Sequence, residues 1–183
     1  MPTIKEIAKA CNVSVATGSN SINHKGSVGD ATRERVEQVI REMNYTPNYV
    51  AKNLKTKNTR SIGVIAEDMT VFALPDIIDG ITEYCEEEDY QILLVNLRLY
   101  KKFQDNYYRD NRHKEIVRQE IQKLLAKQVE GIIYVAAHER LINIIPEDLP
   151  IPTVVAYGFT GSEKIPSVVV KDIKGAYDLV SYI

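Results

Sequence analysis

The hydrophobic period changes once along the chain, at residue 61, and that change restricts the fold more than any other feature. Beyond it, short and almost uninterrupted apolar runs recur at 62–66, 91–95, 131–136, 153–156 and 168–170. Amphipathic stretches at helical spacing lie between them, over 75–88 and 114–127. A shorter helix is expected near 140–145, and another begins at 175 and runs to 183. A strand that is apolar on both faces must be covered on both faces. The alternation therefore predicts an α/β doubly wound parallel sheet. The long, polar and aromatic stretch 100–112 reads as a surface loop.

Ahead of the change, residues 1–45 read as three short helices. Thr3 and Glu6 have the spacing of a capping box, and Ile4, Ile7 and Ala8 follow on one face. Asn12 sits where a left-handed residue would end the first helix, and Ser14 can cap a second that runs to about residue 23. A third helix, over 30–43, carries Val36, Val39, Ile40 and Met43 on one stripe. Two short helices joined by a tight turn and backed by a third make a helix-turn-helix domain. Pro47 stops it, which divides the chain into 1–47, a linker at 48–60 with a short helical stretch, and an α/β core at 61–183.

Charge follows the same division. Residues 1–60 hold ten Lys/Arg and five Asp/Glu, whereas 61–183 hold thirteen and twenty. A basic front on an acidic body points the front at a polyanion, nucleic acid being one candidate. No apolar run is long enough to cross a bilayer, and the first residues lack the build of a secretory signal. Cys11 and Cys85 are too few and too far apart for a disulfide framework or a zinc site. A reducing cytoplasm fits these features. His24, His113 and His138 show no metal-ligand spacing, and Glu86-Glu87-Glu88-Asp89 reads as solvated surface. Gly131 is a lone glycine rather than a phosphate loop. No enzyme chemistry, cofactor or metal is expected.

Five segments carry a resemblance. Thr3-Ile4-Lys5-Glu6-Ile7-Ala8, Val13-Ser14-Val15-Ala16-Thr17 and Thr32-Arg33-Glu34-Arg35-Val36 come first. Asn44-Tyr45-Thr46-Pro47-Asn48 and Ala51-Lys52-Asn53-Leu54 follow in order. Together they resemble the headpiece of the lactose-repressor/galactose-repressor family of transcription regulators. Gly131-Ile132-Ile133, Ile151-Pro152-Thr153-Val154-Val155 and the stretch 172–176 extend the likeness through the core. The resemblance implies that the second helix lies in the major groove, with Val15, Ala16 and Asn20 facing bases. Thr3, Ser14, Thr17 and Ser19 would then hold the phosphate backbone. It also implies a hinge helix over 48–54 in the minor groove. There Leu54 would wedge between base pairs beside Ala51, with Asn48 and Lys55 adding contacts to the DNA. The core would be the N-terminal lobe of a type I periplasmic-binding-protein fold that senses a small sugar. Its ligand would sit at the strand ends, near Asp68, Phe72, Leu97, Ala137, His138 and Tyr157. A homodimer on a near-palindromic site, acting as a repressor of sugar-utilisation genes, is the function implied.

The chain departs from the family at three places in the headpiece. Gly18 stands where Val is usual, and Asn20 where Arg is usual. With Ser14 as cap, Val13 and Gly18 are the two ends of a hydrophobic staple that glycine cannot close. Gly29 replaces a capping Ser ahead of the third helix. A headpiece less stable than its relatives is expected. The family fold crosses to a second lobe after the fifth strand, so the reading expects a truncated core. Ala176, Tyr177, Leu179, Val180 and Ile183 are then expected to form an exposed apolar patch. Two further readings follow: a non-regulatory fragment unable to dimerise or sense effector, and a free-standing sugar-binding module.

Overall fold

Three helices build the first of two units, Met1–Lys57 and Asn58–Ile183. The computed structural model describes residues 2–26, 28–46, 58–71, 73–104, 107, 109 and 112–182. Helix α1 (Ile4–Ala10) opens with the expected capping box. The Thr3 hydroxyl accepts the Glu6 N–H at 3.4 Å, and the Glu6 carboxylate accepts the Thr3 N–H at 2.7 Å. Asn12 turns the chain with φ at 51°, and Ser14 accepts the Thr17 N–H at 3.0 Å to start α2 (Val15–Ile22). Helix α3 (Asp30–Glu42) begins at Gly29, which is extended and has no side chain to cap with. Ile7, Cys11 and Val36 are buried at the centre, with Val13, Ile22, Val39, Ile40, Met43 and Tyr45 packed round them.

Gly18 faces inward, but not into a staple with Val13. A β-carbon there would meet Ala8 Cβ at 3.5 Å and Ile4 Cδ1 at 3.8 Å, both on α1. The glycine is therefore a gap in the α1–α2 contact rather than in the entry turn of α2.

The second unit contains a five-stranded sheet, every pair of which is parallel. Its strands are β1 (Ser61–Ala66), β2 (Gln91–Asn96), β3 (Gly131–Val135), β4 (Thr153–Ala156) and β5 (Ser167–Val168), in the spatial order β2-β1-β3-β4-β5. Helix α4 (Leu74–Glu87) connects β1 to β2, and α6 (Lys114–Ala126) connects β2 to β3 across β1. These two crossovers run in opposite directions over the sheet, so right-handed connections put their helices on opposite faces. Neighbouring residues of β1 show it. A β-carbon on Gly63 would lie 2.7 Å from Leu124 of α6, so only glycine lets that helix so close. Ile62 instead points to an open apolar groove that it lines with Tyr84 and Cys85 of α4, Ile133 and Val154. One core runs through the unit, including Val64, Ile65, Val135, Val155, Ile121, Leu124 and Ile78.

Three expectations fail in this unit. Residues 140–145 form no helix. Instead Phe159 donates its N–H to the Arg140 carbonyl and accepts the Ile142 N–H at 2.8 Å. That pairing, a parallel bridge between Leu141 and Phe159, takes the backbone groups a helix would need. The stretch 100–112 is not simply a surface loop. It opens as the short helix α5 (Leu99–Phe103) and sinks Tyr107 into the core at 2% exposure. The fifth strand is Ser167–Val168 rather than 168–170, leaving Val169 and Val170 exposed. Its pairing with β4 ends where Tyr157 donates its N–H to the Val168 carbonyl at 2.8 Å and turns left-handed with φ at 56°. Helix α7 (Asp172–Tyr182) follows, with Ala176, Tyr177, Leu179 and Val180 exposed as anticipated, and Tyr182 exposed beside them. Ile183 lies outside the described residues.

Candidate nucleic-acid interface and ligand edge

Helix α2 has two unlike faces because its sequence alternates small inward residues with outward ones. Gly18 and Ser21 are buried, and Ile22 is half-buried. On the opposite side Ala16 and Asn20 are exposed, as is Val15 at 44%. An apolar, β-branched residue exposed at the first turn of a capped helix has no folding role to explain it. The Ser14 and Thr17 hydroxyls lie 2.8 Å apart at the same end, and Thr17 and Ser19 are half-buried. Their lone pairs and protons can serve the cap and an external phosphate together. No acidic residue stands in the first turn of α2, so its N-terminal dipole is unopposed. Asn20 carries its side-chain amide beside Gly26, 3.5 Å from where a β-carbon would be, at a turn with φ at 74°. Thr3 is exposed at the N-cap of α1, its hydroxyl donating to Glu6 at 3.0 Å. That bonding to Thr3 holds the Glu6 carboxyl below its ordinary value. Asn48, Ala51, Leu54 and Lys55 lie outside the described residues, as does Phe72.

The carboxyl ends of the strands bring the other predicted residues to one edge, together with several that sequence reasoning passed over. Glu67, directly after β1, is fully buried. Its carboxylate accepts the Tyr134 hydroxyl at 2.5 Å, the Tyr107 hydroxyl at 2.9 Å and the Ala137 N–H at 2.8 Å. Arg140 adds a two-pronged ion pair at 2.6 and 3.0 Å. Burial alone would push the Glu67 carboxyl up. The Arg140 hydrogen bonds and charge, joined by Tyr134 and Ala137, outweigh it and hold the group below the ordinary carboxylate range. Burial and the Glu67 charge push both tyrosine hydroxyls the other way, so they remain donors.

Asp68 is buried too, and it spends its carboxylate on the Thr70 hydroxyl at 2.7 Å and the Thr70 N–H at 3.1 Å. Burial would raise its carboxyl, but these bonds, with the nearby Tyr100 and Lys101 backbone N–H groups, hold it below the ordinary value. Leu97 and Ala137 are buried in the core. His138 and Tyr157 are half-buried at the edge. Burial lowers the His138 pKa, and the nearby Arg140 charge lowers it further. The signal that could have found the network is an acid placed immediately after an apolar strand, with an arginine in the next strand-end loop.

Residues 3–48 match the family model described as bacterial regulatory proteins, lacI family. The chain is 31% identical over 99% of its length to the HTH-type transcriptional regulator RegA of Clostridium acetobutylicum, covering 51% of that protein. It is 30% identical over its full length to the HTH-type transcriptional repressor PurR of Vibrio atlanticus, covering 52%. Among solved structures, it resembles the lac repressor dimer bound to operator and the anti-inducer ONPF, with a TM-score of 0.74 at 22% identity. That match covers 98% of this chain and 52% of the repressor chain. A lacI-family regulator from Silicibacter pomeroyi matches at TM-score 0.69 and 20% identity, over 99% of this chain and 51% of that one. The chain spans about half the length of the curated relatives it matches.

Proposed function

The chain belongs to the lacI family of bacterial regulatory proteins through residues 3–48, and from that premise we propose that it is a sequence-specific DNA-binding transcription regulator. It represses sugar-utilisation genes in the cytoplasm as a homodimer on a near-palindromic operator, and a small sugar relieves the repression. The observation that carries this reading is the outward face of α2, where Val15, Ala16 and Asn20 stand exposed on a helix whose other side is packed.

An α-helix fits the major groove, where Val15 and Ala16 can contact thymine methyls and Asn20 can pair with adenine. Thr3, Ser14, Thr17 and Ser19 surround that face with hydroxyls for phosphate oxygens. In the linker, Leu54 is the wedge for the minor groove beside Ala51, while Asn48 and Lys55 bind the backbone. The sugar binds at the strand ends, where His138 and Tyr157 are half-buried at the edge, with Phe72 as a further candidate contact. Its binding shifts the equilibrium away from the DNA-competent arrangement, so operator affinity falls.

Selection of bound duplexes from a random pool tests the reading. The expected product is a palindrome whose half-sites are set by two-fold symmetry. Leu54→Ala should weaken binding to every selected site. Asn20→Ala should cost about 1–3 kcal/mol at one base pair per half-site and relax its identity. A pool that never converges rejects the reading.

A further inference from the structure

The geometry points to a second small-molecule site, a cleft between α6 and the β3–β4 connection that takes an organic anion with an apolar body. It is separate from the proposed sugar site, since Asp68, His138 and Tyr157 do not line it.

The cleft exists because one crossover has no helix. From β2 to β3 and again from β3 to β4 the chain moves the same way across the sheet. Right-handed crossovers therefore place both connections on one face. On that face α6 packs down on β1, with Leu124 at 2.7 Å from where a Gly63 β-carbon would stand. A doubly wound sheet ordinarily sets a second helix beside it. Residues 136–152 form none; they bury Ile142, Ile144 and Ile145 and then turn at 147–148. Beside α6 they leave a cleft of about 420 Å³, within the roughly 300–1,000 Å³ usual for small-molecule sites.

The two walls differ in chemistry. Lys114, Arg118 and Gln122 line the cleft from one stripe of α6, each a helical turn from the next. Neither cation forms an ion pair among the described residues. The neighbouring acids of α6 are engaged elsewhere: Glu115 accepts the Gln119 amide at 3.2 Å, and Glu120 pairs with Lys123 at 2.7 Å. Across the cleft, Ile144, Ile145, Pro146 and Leu149 make an apolar wall. Asp148 is the one acid lining it among the described residues, so the two cations outnumber it. The buried Ile144 and Ile145 donate no backbone hydrogen bond among the described residues. Buried amides in native chains are nearly always paired, so this wall has bonding capacity that the fold does not use. A neutral apolar molecule would leave the cations idle, and a bare ion would leave the apolar wall idle. A carboxylate or phosphate joined to a hydrocarbon body uses both.

Titration calorimetry of the full chain with 4-phenylbutyrate, phenethyl phosphate and the neutral 4-phenylbutyramide provides the test. Acetate and inorganic phosphate serve as the same head groups without a body. One of the two amphipathic anions should bind at least about tenfold more tightly than the amide and than its own bare head. The tighter of the two identifies the head group as carboxylate or phosphate. Lys114→Gln combined with Arg118→Gln should weaken that anion at least about tenfold. Both side chains are exposed, so circular dichroism should show the fold unchanged. Gln122→Trp, at another exposed position, should fill the cleft and weaken the same anion comparably while keeping both cations. The inference is overturned if neither anion binds, or if the amide or the bare head binds as well. It is equally overturned if the affinity survives the double substitution or the tryptophan. Operator selection with the same preparations reports separately on the proposed function.

Discussion

Arg140→Met should destabilise the α/β unit by about 3–5 kcal/mol at neutral pH, out of the roughly 5–15 kcal/mol that domains possess in total. The arginine side chain is 14% exposed and its partner Glu67 not at all, so the pair has little water to fall back on. With the guanidinium gone, only the Tyr134, Tyr107 and Ala137 hydrogen bonds are left to offset the cost of burying the carboxylate, and Glu67 is driven to take up a proton or the loops to open. The Tyr134, Tyr107 and Ala137 donors would then face a neutral acid that accepts less strongly. Adding Glu67→Gln to Arg140→Met should recover part of the loss, because an uncharged amide can still accept from the tyrosines and leaves no buried charge. The pH dependence has a fixed sign. The folded Glu67 carboxyl lies below its ordinary value near 4.5, so it contributes stability above that pH and loses it as pH falls through the folded value. Arg140→Met should remove this acid sensitivity. Urea unfolding between pH 3.5 and 7, followed by circular dichroism, measures both effects. A loss below about 1 kcal/mol would mean that the pair behaves as an exposed surface bridge.

That network also marks where sequence reading ends. The strands at β1, β2, β3 and β4 are legible because each is a short apolar run, and local periodicity is all that recognising such a strand requires. The headpiece was legible for the same reason: Thr3, Asn12 and Ser14 act within a few residues of themselves. Tyr107 was not. Its neighbours are polar, and the partner that draws it inward lies 40 residues earlier, next to β1. The helix expected over 140–145 failed similarly, since Phe159 supplies the competing backbone partner from beyond β4. At the candidate DNA face, exposure of Val15 runs against what its chemistry alone would predict, and only the family likeness anticipated it. Asp68 shows the converse. A polar residue after a strand reads as a ligand group, yet here its carboxylate is occupied by its own loop, through the Thr70 hydroxyl and N–H.

Gly18→Ala should stabilise the headpiece by about 1.5–2 kcal/mol. Roughly 1 kcal/mol comes from helix propensity, because glycine in a helix interior loses more backbone freedom on folding than alanine. A further ~0.8 kcal/mol comes from burying one methyl group. The added carbon fits without rearrangement, since its nearest neighbours, Ala8 Cβ at 3.5 Å and Ile4 Cδ1 at 3.8 Å, are at ordinary van der Waals distance. In a domain this small, that gain should raise the melting midpoint by roughly 6–15 °C. The substitution lies on the packed side of α2, turned toward Ala8 and Ile4 of α1 and away from Ala16 and Asn20, so the selected operator sequence should not change. Affinity for it should rise if the packed arrangement of α1 and α2 is only partly populated in the parent, because binding then no longer has to select it from a mixture. An unchanged or lower midpoint would show that α1 and α2 do not pack across residue 18. In that case the departure from the usual valine would have a cause other than a missing contact.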